Sequence, residues 1–385
     1  MKISKVRAYP LTVLFKDIFG GAEKVPPNLL APAATHMVYP RFGQFTALVE
    51  ITTDDGYVGY GEAYGLPDSR FPADVVNDLI AQMLIGKNPL DSRVIFDSLM
   101  SLPLLGGQSR GFVMAAISGI DQALWDIKGK YFNVPVHTLL GGKRTQAVEC
   151  YASPIMYQEN TEETKRQAAE FIQQGFSSVK LKVGRGIDVD IAHIAATRHA
   201  IGSSPKLLLD VNSAYDPMTA VLLAKEAEQY GIYWLEEPIP SENTDGYRFI
   251  RRRVNMYVAT GENECSLNSF RDLIEHEAVD FIMPNLARAG GITGVMDIAV
   301  LAQAHSVRVS PHGVGSGVNL GASIQLLSSI KNGGIYEFNQ LLNPLRTELG
   351  GDIHFENGKL TVPDLPGLGL NIRSQVVEKY NVEKK

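Results

Sequence analysis

From residue 148 onward the chain repeats one pattern: a short apolar run with strand character, then a longer polar or amphipathic stretch, then the next run. Eight such runs occur, VECYASP, SVKLKV, LLLDVN, YWLEEP, YVATGE, FIMPN, VRVSPH and IYEF. Between them lie stretches such as TEETKRQAAEFIQQG and DPMTAVLLAKEAEQYG, whose apolar residues recur at helical spacing. Alternation of this kind argues for βα units around a parallel sheet, and eight units close a barrel. The expected fold class is therefore α/β, a modified (β/α)8 TIM barrel over residues 131–350, joined to an α+β capping domain over residues 1–130. In that first part, Gln44–Tyr64 reads as two strands around the turn Asp54-Asp55-Gly56, and GFVMAAISGIDQALWDIKGKYF reads as a helix. Residues 351–385 carry a second hairpin signal, Asn357-Gly358 in FENGKLTV, and are expected to return to the cap. The stretch from Leu14 to Phe42 is rich in Gly, Pro and Ala; a connection that long in a compact chain is a functional lid or disordered. As a lid it would set specificity, together with cap loops near Glu62.

A polar residue ends each run after the first: Lys182, Asp210, Glu236, Glu262, Asn285, His312 and Glu337, spaced 23 to 28 residues apart. A barrel places all of these on one rim, where its active sites lie. Asp210, Glu236 and Glu262 fall on consecutive strands, and three ionised carboxylates cannot share a pocket without a cation. An all-oxygen donor set with no His or Cys favours a hard ion, Mg²⁺ first and Mn²⁺ second. Glu237, next to Glu236, is expected to point away and to serve the turn. Lys180 and Lys182 stand two apart in SVKLKV, so their ammonium groups share one side of the strand. Crowding by a second ammonium and partial desolvation would let one of them work as a general base. His312, on the same rim, is a candidate proton-transfer group.

The formal net charge of −6 and the absence of a polybasic stretch leave no footprint for nucleic acid or a membrane surface, so the expected partner is a small molecule. Two cysteines, Cys150 and Cys265, without CxxC spacing suggest neither a disulfide framework nor a zinc site. No signal-peptide core or apolar span is visible, and a cytoplasmic location is expected.

These motifs resemble the enolase superfamily, and within it the mandelate racemase subgroup. The resemblance runs through Lys-x-Lys at 180 and 182, LDVN with Asp210 and Asn212, WLEEP with Glu236, TGEN with Glu262, AGGITG, SPHG with His312, and Glu337, and it extends to SGIDQALWDIKGK and PGLGL. In detail, VRVSPHGVGSGVNLGASIQL and VPDLPGLGL look closest to the galactarolactone cycloisomerase type. The resemblance implies one Mg²⁺ on Asp210, Glu236 and Glu262, abstraction of the proton α to a carboxylate, and an ene-diolate stabilised by the metal. It implies Lys182 as one base with Lys180 its electrostatic neighbour, and His312 as the acid/base on the opposite face. Asn212, Lys180 and Glu337 would bind substrate, Glu337 as a hydrogen-bond donor or orienting group. A symmetric homo-oligomer is a further implication.

One departure stands out. The subgroup ends its sixth strand with an aspartate that pairs with the histidine, and here MPNLARAGG puts Asn285 in that place. An amide can orient an imidazole but supplies no charge to favour its protonated form. Dehydration of an acid sugar, with His312 protonated, is the first expectation; lactone cycloisomerisation and racemisation or epimerisation of a 2-hydroxy acid follow. The substrate would be a hydroxylated carboxylate or its lactone. A nicotinamide-dependent oxidoreductase fails on spacing, since the third glycine after Gly315 and Gly317 would fall at Leu320 and, counted from Gly313, at Val318. The non-enzyme reading is a metal-dependent binding protein without turnover.

Overall fold

The computed structural model describes residues 1–33, 40–350 and 353–383. Residues 34–39 of the expected lid lie outside them. Strands β1 (Ile3–Leu14), β2 (Gly43–Thr53) and β3 (Val58–Tyr64) form an antiparallel sheet in that order. The turn between β2 and β3 is the expected one, with Gly56 at φ +92°, where a side chain would be strained. The helix Phe112–Phe132 packs across β3. It approaches so closely that a Cβ on Gly61 would stand 1.9 Å from the Gly119 carbonyl oxygen.

All eight apolar runs are strands: β4 (Ala147–Ile155), β5 (Ser178–Lys182), β6 (Lys206–Asp210), β7 (Ile232–Glu236), β8 (Tyr257–Thr260), β9 (Phe281–Ile282), β10 (Arg308–Val309) and β11 (Tyr336–Asn339). From β4 to β10 each pairs in parallel with the next, and β11 returns to β4. Between β10 and β11 the ring is completed by Gly334 N–H donating to the Val309 carbonyl at 2.8 Å rather than by a full ladder.

Alternation along the strands sorts the side chains. Val179, Leu181, Leu207, Leu209, Leu235 and Val258 join the core shared with the outer helices, whereas Tyr151, Leu208, Trp234, Ala259, Phe281 and Met283 belong to a separate cluster that fills the ring. Each such aliphatic side chain stabilises the fold by about 1.5–3 kcal/mol relative to exposure. Lys180 falls on the inner side of this alternation, which is why a buried strand carries it.

The end of the chain divides. β12 (Phe355–Glu356) and β13 (Lys359–Thr361) turn at Asn357-Gly358, as expected, but they add to β4 of the barrel and not to the cap. β4 is long enough to pair with β13 through Ala147–Glu149 and with β11 further along. What reaches the cap is the following helix Ser374–Tyr380, after which Asn381 bridges to Leu11 of β1.

Two buried carboxylates tie the cap to helix starts of the barrel. Asp121 accepts from the Thr293 N–H at 2.9 Å and from its hydroxyl at 2.5 Å, in the first turn of the helix Gly291–Ala304. Glu62 accepts from the N–H groups of Ser316 and Asn319 at the start of the helix Gly317–Leu327, and from Thr46 Oγ1. Each places acceptor oxygens where the unpaired N–H groups of a helix start need partners. Glu62, expected near a specificity loop, is thus a buried junction between the domains.

Candidate active site

The parallel register sets Lys182 beside Asp210 and Asp210 beside Glu236. Glu262 follows the end of β8. One carboxylate oxygen from each of Asp210, Glu236 and Glu262 lies within 4.8 Å of the others, so the trio forms a group that could hold a metal ion. Its orientation is fixed from behind: Trp234 Nε1 donates to Glu236 Oε2 at 3.1 Å, and Asn212 N–H to Asp210 Oδ1 at 3.0 Å. Burial, and after it the charge of Asp210, pushes the Glu236 carboxyl well above its usual range. Oxygen-only donors crowded in this way fit a hard divalent cation.

Lys180 and Lys182 divide their tasks. Lys180 is wholly buried, its Nζ 2.8 Å from Glu236, 3.0 Å from Glu337 and 3.1 Å from Asp210. Burial would lower its pKa, but the surrounding carboxylates outweigh that and hold it well above the ordinary lysine value. A lysine so held stays charged and is not a base. Lys182 reaches the cavity instead, with Nζ 2.5 Å from Asp210 Oδ2 and 2.6 Å from Asn212 Oδ1.

On the far side of the ring, Asn285 supports His312. Asn285 Oδ1 accepts from the Ala287 N–H at 2.8 Å, and Nδ2 donates to the Val314 carbonyl at 2.8 Å. Those two bonds fix which end of the amide faces the ring, and it is Nδ2 that stands 2.9 Å from His312 Nδ1. Nδ1 therefore accepts, and the ring proton sits on Nε2. A protonated ring would set two donors against each other there. Burial also lowers the His312 pKa, against the opposing pull of Glu262 and Glu337. These contacts suit a neutral ring with its proton on Nε2, which stands 3.5 Å from Glu262 and 3.7 Å from Glu337.

Glu337 accepts from the Ser153 hydroxyl at 2.6 Å and from the Gly313 N–H at 2.7 Å. Burial would raise its pKa, but the charge of Lys180 with these donors holds it far below the usual carboxylate range. An ionised carboxylate has no proton to donate, which leaves Glu337 an orienting role. Glu237 departs from expectation. Its φ of +38° breaks the strand alternation, so its carboxylate stays on the cavity wall and accepts from Asn263 Nδ2 at 3.0 Å.

These groups surround one cavity of about 370 Å³, lined by Lys182, Asn212, Glu262, His312 and Glu337 among others, with Arg41 and Phe42 from the expected lid. Sequence reasoning missed Arg41, Tyr64 and Arg288, which also line it. Arg41 and Tyr64 lie outside the barrel repeat, and Arg288 lies beyond the strand end, so periodicity could not mark them.

Residues 163–376 match the family described as enolase C-terminal domain-like, and residues 25–141 match the mandelate racemase / muconate lactonizing enzyme N-terminal domain. The chain is 35% identical over 347 residues to the D-galactarolactone cycloisomerase of Agrobacterium fabrum, spanning 87% of this chain and 91% of that one. It is 31% identical to the arabinonate dehydratase of Saccharolobus solfataricus, spanning 86% and 89% of the two chains. Among solved structures, the 3,6-anhydro-D-galactonate cycloisomerase from Zobellia galactanivorans matches with a TM-score of 0.87 at 33% identity, over 99% of each chain.

Proposed function

Because the chain belongs to the mandelate racemase / muconate lactonizing enzyme family of the enolase superfamily, we propose that it removes the proton α to the carboxylate of an acid sugar and expels the oxygen at the β carbon. The observation that carries this reading is the placement of Lys182 and His312 on one cavity wall each, with the acidic trio beside them. Asp210, Glu236 and Glu262 would hold Mg²⁺, or Mn²⁺, and the bound ion supplies positive charge where the substrate carboxylate gains negative charge.

The rest is done by side chains. Lys182, positioned by Asp210 and Asn212, takes the α-proton on Nζ. The C–H electron pair becomes the new double bond, the β C–O bond breaks, and the leaving oxygen carries away its electrons. His312 faces that oxygen with Nε2–H and donates a hydrogen bond to it. Lys180 keeps its charge near the carboxylate end, and Glu337 orients both Lys180 and His312.

The form of His312 bears on the leaving group. Hydroxide is the conjugate base of water, pKa about 15.7, whereas a lactone ring oxygen leaves as a carboxylate whose acid has a pKa of about 4. A neutral imidazole is a weak acid for the first and a sufficient hydrogen-bond donor for the second. This favours opening of an acid-sugar lactone by elimination, followed by ketonisation, over the dehydration placed first by sequence. The cycloisomerase similarity agrees with it. Racemisation needs a second base, and Nε2–H is not one.

The test compares acid-sugar lactones with their open-chain acids in the presence of Mg²⁺, following α-proton exchange in D₂O and α-keto acid formation by NMR. The lactone should be consumed at least tenfold more efficiently, and Lys182→Ala should lose both exchange and product. A faster open-chain substrate would return the assignment to dehydration. Full activity in excess EDTA would end the metal-assisted reading.

A further inference from the structure

The cavity has a second charged end. Arg41 is 8% exposed, and its Nη2 and Nε donate to Gln44 Oε1 and the Gly43 carbonyl, at 2.5 and 3.3 Å. Arg288 stacks on the Tyr64 ring at 3.8 Å and donates to the Glu262 carbonyl and Asn263 Oδ1. Close enough to Arg41 to interact with its charge, half-buried Arg346 bonds to Asn339 Oδ1 and the Leu341 carbonyl. All these partners are neutral. Among the described residues none of the three guanidinium groups has a carboxylate within ion-pair distance, although the protein carries 42 Asp and Glu. A buried cation without a counter-charge is costly, so such a group marks where an anion belongs.

We propose that Arg41, with Tyr64 and Arg288, forms an anion subsite in the active cavity, and that the substrate is the lactone of an acid sugar with two carboxyl groups, the second of which becomes the anion on ring opening. The subsite lines the same cavity as Lys182 and Glu262, so one small molecule reaches both ends. The Tyr64 hydroxyl makes no hydrogen bond among the described residues and lies in the field of Arg288 and Arg41 and, after them, of Glu262 and Glu337. It is left as a donor for the same carboxylate. The geometry of a guanidinium suits a carboxylate through two parallel hydrogen bonds.

The inference rests on the elimination reading and sharpens it. A lactone that still carries a free carboxylate beside the reacting C–H must come from a diacid; its other carboxyl group closes the ring and is released as an anion when the β C–O bond breaks. Arg41 would hold that end before and after release.

The experiment measures binding, with Mg²⁺ present, of galactarate against galactonate and of glucarate against gluconate, pairs that differ in having a carboxylate or a hydroxymethyl group at the far carbon. At least one diacid should bind tenfold or more tighter than its monoacid. Arg41→Gln should cut that preference below threefold, Arg41→Lys should retain part of it, and Tyr64→Phe, which removes only the hydroxyl, should reduce it by about threefold. An equal affinity for both members of each pair, or a preference untouched by Arg41→Gln in a variant with the parental melting temperature, overturns the subsite. Exchange of the α-proton in D₂O is read in the same samples and with the diacid lactones. Exchange without diacid preference sinks the subsite alone, whereas failure of every acid to bind together with failure of the diacid lactones to exchange overturns the subsite and the proposed reaction.

Discussion

At the scale of single residues, the chemistry turns on the atom that Asn285 presents to His312. The hydrogen bonds of its amide to Ala287 and Val314 leave Nδ2 facing the ring, so a difference of one atom from aspartate decides the tautomer. Asn285→Asp should set an acceptor at Nδ1, move the proton there and raise the His312 pKa by roughly 1–3 units. Nε2 then becomes a base. Wild-type enzyme should exchange the α-proton with retention of configuration, while the variant should gain epimerisation. Nitrogen NMR of the ring, which separates the two tautomers, checks the cause independently; an unchanged tautomer in Asn285→Asp would remove Asn285 from control of His312. His312→Asn, by contrast, should stop product formation and leave slow exchange into the same stereoisomer through Lys182.

At the scale of elements, the fold joins two domains through helix starts, and the Asp121 contact gives that junction a pH dependence. Burial raises the Asp121 pKa to about 7, against the pull of its Thr293 hydrogen bonds. Its unfolded value is near 3.9. The folded state therefore binds more protons than the unfolded state between these values, and this group's contribution to stability falls as pH rises from about 4 to 7. Asp121→Asn removes the titration while keeping an oxygen for Thr293. The melting temperature of the variant relative to wild type should therefore rise across that interval. A difference that stays flat with pH would mean that Asp121 is ionised throughout.

For the whole molecule, the cavity is closed by parts distant in sequence: Arg41 and Phe42 before β2, Tyr64 at the end of β3, and the rim of the barrel. Phe15, Val25 and Leu29, in the segment before Arg41, pack in one cluster with Leu341 after β11, with Met156 after β4 against it. Ligand binding that engages Arg41 should therefore stabilise this whole segment. Tryptic cleavage after Lys16 and Lys24 should slow at least severalfold when Mg²⁺ and a bound acid sugar are present together. Equal cleavage rates with and without ligand would show that the segment does not report on the site.

The barrel and its rim were legible in the sequence because both are periodic: side chains alternate along a strand and strands recur with each βα unit, so Lys182, Asp210, Glu236 and Glu262 announce their shared position by spacing alone. Spacing says nothing where the backbone leaves the repeat. Glu237 stays on the cavity wall because its φ is positive, and the closing hairpin chose β4 because that strand has residues to spare. Nor does spacing reveal which partner neutralises which charge. Lys180 is held charged by three carboxylates, His312 meets an amide that suits its neutral form, and Arg41 is buried without an acid, and each of these follows from distances between residues far apart in the chain. Residue type and periodicity determined the fold and the groups on its rim; packing in three dimensions decided their protonation and the shape of the charge they offer a substrate.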